Sequence, residues 1–210
     1  MLGFAHISDR QFYDKLREFR LDNGLPFFDQ AWDLNLFMVR DDIIGEWTDE
    51  AIIITHDNAG RPVVHRCIMT GDASESEWTD PTHPNGCLWV LPGHYAGGYH
   101  RGLHKGRKCF RQRRDFNNVR WPKSMGRVPT ASELIERGKV HGFMDIRGTN
   151  WHNRFSGQAP VKPKPGDSEG CPVNLYYHQH EGAIMLGDLQ QKYRGSSVVS
   201  PTFLQITDIT

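Results

Sequence analysis

Short apolar or alternating segments separated by turn residues are the feature of this sequence that most constrains its fold. Five of them are typical of strands and cover residues 34–40, 51–55, 63–70, 87–91 and 140–147. Asn58-Ala59-Gly60 separates two of these segments and predicts the turn of a β-hairpin. Residues 107–114 alternate in part among basic side chains and predict a strand with one solvated face, and a last strand is expected at 202–206.

Three helices are predicted beside these strands. Ser8 opens a capping box, and apolar residues on one face then continue to an Asn-Gly stop, which predicts a helix over 8–23. A second helix is expected at 131–137, ended by Gly138, and a third at 183–193. The sequence therefore predicts a mostly β, β-rich α+β fold with a few short helices.

Length and charge restrict the classes of protein that this chain fits. Its 210 residues contain no internal repeat or shift in composition, so we expect a single domain over 1–210. Lysine plus arginine equals aspartate plus glutamate at 25 each. The chain therefore has no net positive charge that would attract it to nucleic acid or to an acidic membrane. No signal peptide or membrane-spanning run is recognisable. We therefore expect synthesis in a cytoplasm, with no nucleic-acid or membrane partner.

Cysteine and histidine spacing gives no sign of a metal or redox centre. The four cysteines lack any Cys-x-x-Cys pair, which argues against a zinc ribbon or a thioredoxin-type motif. His100 and His104 are four residues apart, but the glycines around them disfavour the helix that would bring them together. His178 and His180 are interpreted as polar surface residues. We expect neither a metal nor a cofactor.

Cys171 lies in the only stretch with a distinct chemical pattern, Ser168-Glu169-Gly170-Cys171. Gly170 allows a tight turn in which the amides of Gly170 and Cys171 point at a developing oxyanion, and the Ser168 hydroxyl can fix that turn. A thiol in such a position becomes a nucleophile when histidine or cations favour its thiolate. The alternative is a small buried residue at a turn.

A histidine followed at a fixed distance by Ser-x-Gly-Cys resembles the signature of the L,D-transpeptidase catalytic domain. Fifteen residues separate His152 from Ser168, as in that family's pattern. The resemblance implies a twisted sheet or sandwich in which Cys171 is the nucleophile and His152 exchanges the proton. Trp151, next to His152, is interpreted either as a wall of the cleft or as core.

A longer series of motifs is similar to phage and prophage proteins with the same ending. It includes the motifs Thr79-Asp80-Pro81, Leu91-Pro92-Gly93-His94-Tyr95, Gly102-Leu103-His104-Lys105-Gly106 and Ser168-Glu169-Gly170-Cys171. The match spans about residues 45–175, outside which lie the N-terminal helix and a C-terminal helix and strand at 183–206. It implies a cell-wall-directed phage protein in which His104 lies near the active cleft and contacts substrate.

The chain also departs from those patterns. Asp145-Ile146-Arg147 stands where the phage relatives read Asn-Ile-His, and arginine cannot act as a general base. Glu169 replaces the transpeptidase histidine before Gly-Cys, and a carboxylate near a thiol disfavours the thiolate. Arg147 can offset that effect by pairing with Glu169 or by stabilising the thiolate. If this alignment holds, His152 serves Cys171 or the site is inactive.

The resemblance implies acyl transfer at a peptide carbonyl of the peptidoglycan stem peptide, with hydrolysis favoured over cross-linking. Such a protein would be virion-associated and act at the host cell wall. The alternative is a structural virion protein of a tail, baseplate or capsid that keeps the fold without the catalytic set and contacts other virion proteins. A third possibility is a module that binds wall glycan without turnover.

Overall fold

The computed structural model describes residues 4–145, 148–154 and 171–209. The protein is a β-rich α+β structure, as the sequence predicts. The helices in these ranges are α1 (Asp9–Asp22), α2 (Glu75–Thr79), α3 (Ala131–His141) and α4 (Tyr177–Arg194). The strands are β1 (Asn35–Arg40), β2 (Asp49–His56), β3 (Pro62–Thr70), β4 (Cys87–Val90), β5 (Gly93–His94), β6 (Tyr99–His104), β7 (Arg107–Gln112), β8 (Phe116–Trp121), β9 (Phe143–Asp145), β10 (His152–Asn153), β11 (Val173–Asn174) and β12 (Val198–Gln205).

The main sheet closes on itself. Its strands run in the order β10, β11, β3, β2, β1, β12, β6, β7, and β5 also pairs with β12. The two outermost strands meet again where Phe110 of β7 bridges to Trp151, just before β10. Phe110 and Trp151 exchange backbone hydrogen bonds of 3.0 and 2.8 Å. This closure brings β10 next to β7, with β11 on the other side of β10.

Both faces of the central strands are buried, which explains their continuous apolar character. On β2, Ala51 and Ile53 pack into one core, whereas Ile52 and Ile54 pack into another on the opposite face. A strand covered on both sides has no solvated face and so shows no polar alternation. The segment predicted at 51–55 is confirmed as the centre of β2.

Helices α1 and α4 contribute to these two cores. Phe12 and Leu16 of α1 are fully buried in the same core as Ile52 and Ile54. Ser8 caps α1 in a capping box, so the predicted helix at 8–23 is confirmed. On the other face, α4 packs against β3, β6, β7, β10 and β11. It begins at Tyr177, six residues before the predicted start at residue 183.

A smaller sheet of β4, β8 and β9 packs with α3 around a third core. The predicted end of α3 at Gly138 is wrong, because the helix continues to His141. A Cβ at Gly138 would lie 2.4 Å from Leu91 Cδ2, so this glycine serves close packing inside the helix. The predicted strand at 140–147 is correspondingly wrong at its start and is observed as Phe143–Asp145.

Arg40 lies fully buried between the two sheets. Its guanidinium donates to the carbonyl of Val90 and stacks over Trp89 at 4.5 Å from the ring centre. Asp49 and Asp72 are buried nearby, and their charges raise the pKa of Arg40 against the larger lowering by desolvation. Asp49 Oδ2 accepts from Gly71 N at 2.6 Å, and Asp72 Oδ1 accepts from Trp89 Nε1 at 2.7 Å. Burial raises the pKa of Asp49 well above its usual value, and the charge of Asp72 raises it further, whereas Arg40 opposes both effects.

We predict that Arg40→Leu lowers the free energy of unfolding by about 3–5 kcal/mol, because it leaves buried carboxylates without their cation. Arg10→Leu is the control, since Arg10 is exposed, pairs with Asp14 and lies over the Tyr13 ring at the surface, and its replacement should cost at most about 0.5 kcal/mol. Urea unfolding followed by tryptophan fluorescence measures both. A similar small loss in the two variants would contradict a stabilising role for Arg40.

Candidate functional site

Cys171 lies in a bend two residues before β11, with its side chain partly exposed. Its thiol donates to the carbonyl of Gly148 at 3.5 Å, and it contacts a small apolar cluster that includes Trp47 and Val173. The predicted turn residues Ser168, Glu169 and Gly170, and also Arg147, lie outside the described residues. The sulfur is therefore at the margin of an apolar cluster rather than deep inside one.

Backbone pairing brings His152 next to Cys171. Strands β10 and β11 are parallel, with His152 aligned with Val173. His152 N donates to the carbonyl of Pro172, the residue after Cys171, at 3.2 Å. Cys171 precedes Pro172, so its backbone lies beside that of His152 where β11 begins. The histidine and cysteine that the sequence paired are thus on neighbouring segments of the chain.

The hydrogen bonds of His152 determine which ring nitrogen carries its proton. Nδ1 is 2.7 Å from the carbonyl oxygen of Asn153, and a carbonyl can only accept, so Nδ1 donates. Burial lowers the pKa of His152 to about 4, which makes the ring neutral at neutral pH. A neutral ring protonated at Nδ1 leaves a lone pair on Nε2. This is the tautomer that a proton acceptor requires.

His104 stacks on His152, with ring centres 5.0 Å apart and planes inclined by 29°. The side-chain amide of Asn150 lies 3.3 Å from His104 Nδ1, and its oxygen accepts from Gln112 N at 3.1 Å. Asn150 is therefore hydrogen-bonded both to the His104 ring and to the backbone of β7, which ties its segment of the chain to that strand. The stack places His104 beside His152, and the expected contact of His104 with substrate stays a prediction. Asn150 has no recognisable motif and was not among the predicted site residues.

The β6–β7 hairpin extends this face with further histidine and basic residues. The register aligns His100 with Arg111, Gly102 with Cys109 and His104 with Arg107. Since Phe110 bridges to Trp151, Cys109 falls opposite His152. Burial lowers the pKa of His104, and the charges of Lys105 and Arg111 lower it further. The face beside Cys171 is thus electropositive.

The other three cysteines are buried. Burial raises the pKa of Cys109 to about 11, with Cys171 among the smaller contributions, which places the two thiols within electrostatic range. Burial also raises the pKa of Cys67 and of Cys87. Only the Cys171 side chain combines exposure with the histidine face.

Trp151 belongs to the core, so the predicted alternative as a wall of the cleft is wrong. It is fully buried and stacks on Phe110 at 5.0 Å between ring centres. Its Nε1 donates to Asn174 Oδ1 at 2.8 Å, and Asn174 Nδ2 is 2.9 Å from His180 Nδ1. His180 Nε2 bonds to the carbonyl of Lys108 at 3.1 Å. A tryptophan in this position can support the site but cannot touch a substrate.

His180 and His178 lie in α4, not in an extended segment. His180 is 1% exposed, so its interpretation as a surface residue is wrong, whereas His178 is exposed. Asp145, predicted as a supporting residue, ends β9, and its main-chain carbonyl accepts from Gln112 Nε2 at 2.9 Å. Within the described ranges, no three His, Cys, Asp or Glu side chains are grouped so as to hold a metal ion.

Comparison of the chain with protein-family models, with curated proteins and with solved structures finds no match. In the described part of the chain, no helix is long and apolar enough to cross a membrane. The geometry alone therefore defines the class: a β-rich α+β protein with a partly exposed cysteine beside a strand that carries a neutral, buried histidine.

We predict that His152→Gln reduces the loss of stability in acid. The folded pKa of about 4 lies below the unfolded value, so the unfolded chain binds the extra proton and stability falls as pH falls from about 6.5 toward 4. One such histidine changes the free energy of unfolding by about 3 kcal/mol over this pH range. Urea unfolding at several pH values measures it, with exposed His6→Gln as the control. An unchanged pH slope in His152→Gln would refute the buried neutral state.

We also predict that one cysteine reacts in the native protein. Iodoacetamide should modify Cys171 first, because Cys67, Cys87 and Cys109 are at most 3% exposed and must await local or global opening. Peptide mapping by mass spectrometry after timed quenching identifies the labelled residue. Equal labelling of all four thiols without denaturant would argue against an accessible Cys171.

Proposed function

We propose that this protein is a cysteine acyl-transfer enzyme of the L,D-transpeptidase-like type that hydrolyses stem peptides of bacterial peptidoglycan. The observation that carries the proposal is the pairing of β10 with β11, which sets the tautomer-fixed His152 beside Cys171. The His-spacer-Ser-x-Gly-Cys pattern and the phage-type motifs of the sequence support the same class. A phage protein of this kind acts at the host cell wall.

The chemistry follows from the two side chains. The Cys171 thiol gives its proton to His152 Nε2, and the sulfur forms a bond to the peptide carbonyl carbon. The carbonyl oxygen becomes an oxyanion, for which the sequence predicts the amides of Gly170 and Cys171 as donors. The C–N bond then breaks, and the amine leaves with the proton from His152. Water attacks the thioester, restores the thiol and releases the carboxylate.

The electropositive hairpin favours this reaction. Arg111 acts on His104 and on Cys109, and Cys109 is within electrostatic range of Cys171. Positive charge stabilises a thiolate and a developing oxyanion alike. It also opposes the unfavourable effect expected from Glu169. Within this proposal, His104 positions the His152 ring through the stack and Asn150 holds His104.

A catalytically inactive structural virion protein is the second candidate. The observation that favours it is the burial of His152, which is only 3% exposed. A histidine that is so buried has little surface for contact with a substrate, so it is poorly placed to return the proton to a leaving amine. The same fold would then present the β6–β7 hairpin or α1 to other virion proteins. Turnover by the purified protein distinguishes the two candidates.

We predict that the purified protein releases soluble peptide fragments from peptidoglycan and that Cys171→Ala abolishes this release. Cys109→Ala is the matched control, because it removes a neighbouring thiol that is buried. His152→Gln should lower the rate by about 10²–10⁴-fold, the usual loss for a general base. Fragments are separated by liquid chromatography and identified by mass spectrometry, which also names the bond cleaved.

Mass spectrometry of the acid-quenched intact protein tests the covalent step. A thioester adduct on the wild-type chain that is absent from Cys171→Ala supports acyl transfer. Retention on peptidoglycan without any fragment would instead indicate a wall-binding module. Neither retention nor fragments, with all variants folded, would favour the structural virion protein.

A further inference from the structure

We propose that Arg111, with Arg113 next to it, binds a carboxylate of the substrate beside Cys171. This inference rests on the proposed function and adds the chemical group by which the peptide is recognised. Both arginines are exposed, and both lie on the histidine-bearing side of the hairpin, two residues apart. They would hold a peptide whose free carboxyl group is within a few residues of the bond that is cut.

Strand register places Arg111 close to the site. Arg111 is aligned with His100 on β6, and the bridge between Phe110 and Trp151 sets Arg111 opposite Asn150. Asn150 is two residues before His152, and it bonds to Gln112 N of the same strand. Arg111 and His152 therefore occupy neighbouring positions on one face of the closed sheet.

A glycine makes room for the Arg111 side chain. A Cβ at Gly102 would lie 2.8 Å from Arg111 Cδ and 3.0 Å from Cγ, so the aliphatic stem lies across the bare backbone of β6. The charge of Arg111 lowers the pKa of His100 and that of His104. The guanidinium is thus near both histidines, where a side chain at position 102 would displace it.

Neither Arg111 nor Arg113 forms an ion pair within the described part of the chain. On the opposite face of the hairpin, Arg101 and Lys108 both pair with Asp188, at 2.9 and 3.5 Å. Within the described ranges, no carboxylate lies within 4.0 Å of Arg111 or Arg113. A guanidinium matches the two oxygens of a carboxylate in a bidentate pair, which gives direction as well as attraction.

Alkylation of Cys171 by iodoacetate and iodoacetamide tests the charge without requiring enzyme activity. The first reagent carries a carboxylate and the second is its neutral amide. Arg111→Gln should lower both rates by the same factor through weaker stabilisation of the thiolate, and should lower the iodoacetate rate about threefold more than the iodoacetamide rate, as expected for one charge several ångströms away in a largely aqueous setting. In Arg111→Gln/Arg113→Gln the ratio of the iodoacetate rate to the iodoacetamide rate should fall about tenfold. Lys139→Gln, on α3, is the control of equal charge change and should alter neither rate.

Peptide binding tests the recognition itself. In the Cys171→Ala protein, calorimetry should give tighter binding of a stem peptide with a free carboxyl terminus than of the same peptide amidated. Arg111→Gln should remove this preference, and Arg111→Lys should restore it in part. If the preference survives Arg111→Gln, or if the two alkylation rates fall by the same factor, the carboxylate assignment is wrong. Stronger protection of Cys171 by a phosphodiester oligomer than by the peptide would also overturn it.

The two levels of proposal fail separately. Fragment release that depends on Cys171, combined with a KM for the free-carboxyl peptide that Arg111→Gln does not raise, would refute only the carboxylate site. A selective effect of Arg111→Gln on iodoacetate, without any fragment release from peptidoglycan, would leave an anion site beside a reactive thiol and refute the hydrolase.

Discussion

A chain of side-chain hydrogen bonds closes the sheet at the candidate site, and the position of Cys171 depends on it. Trp151 Nε1 donates to Asn174, whose amide donates to His180 Nδ1, and His180 Nε2 donates to the carbonyl of Lys108. The links join the residue before β10 to β11, α4 and β7, so these four segments are held at one point. Strands β10 and β11 have only two residues each, and backbone pairing alone would hold them weakly.

The direction of these bonds requires a neutral His180. The carbonyl of Lys108 can only accept, so Nε2 carries the proton and Nδ1 must receive the Asn174 amide. Burial lowers the pKa of His180, which keeps the ring in this state. A second proton on the ring would make Nδ1 a donor, and it would then face the N–H of the Asn174 amide, which is also a donor. Turning the Asn174 amide would only move the conflict to Trp151 Nε1, so the relay has one consistent arrangement.

Local signals in the sequence predicted the parts of the fold whose causes are local. The capping box at Ser8 gave α1, and the apolar run of β2 gave a central strand, because each signal lies within the element that it specifies. Two-residue strands have no periodicity, so β10 and β11 could not be predicted. A glycine after a helical run predicts a helix end, and the close packing that Gly138 serves instead is invisible in the local sequence because its partner, Leu91, is far away along the chain.

The candidate site divides in the same way. The spacing of His152 and Cys171 is a sequence pattern, and the parallel pairing of β10 and β11 places the two residues on adjacent segments. The roles of Asn150, Asn174 and His180 depend on bonds across the closed sheet, which no spacing reveals. The sequence leaves Trp151 with two interpretations for the same reason, since it stacks on Phe110 only where the sheet closes. The residues that support His152 and Cys171 are therefore brought together by the closing of the sheet, and no local sequence pattern marks them.

Electrostatic magnitudes indicate how a histidine with so low a pKa can serve a thiol. The pKa of His152 is about 4, whereas an ordinary cysteine titrates near 8.5, so moving the proton between isolated groups costs about 6 kcal/mol. Attraction between a thiolate and an imidazolium at about 4 Å returns about 4 kcal/mol at an effective dielectric constant of 20. The remaining 2 kcal/mol or so favours the neutral thiol and the neutral imidazole over the ion pair in the free protein. This difference is small enough for the ion pair to form as the sulfur attacks.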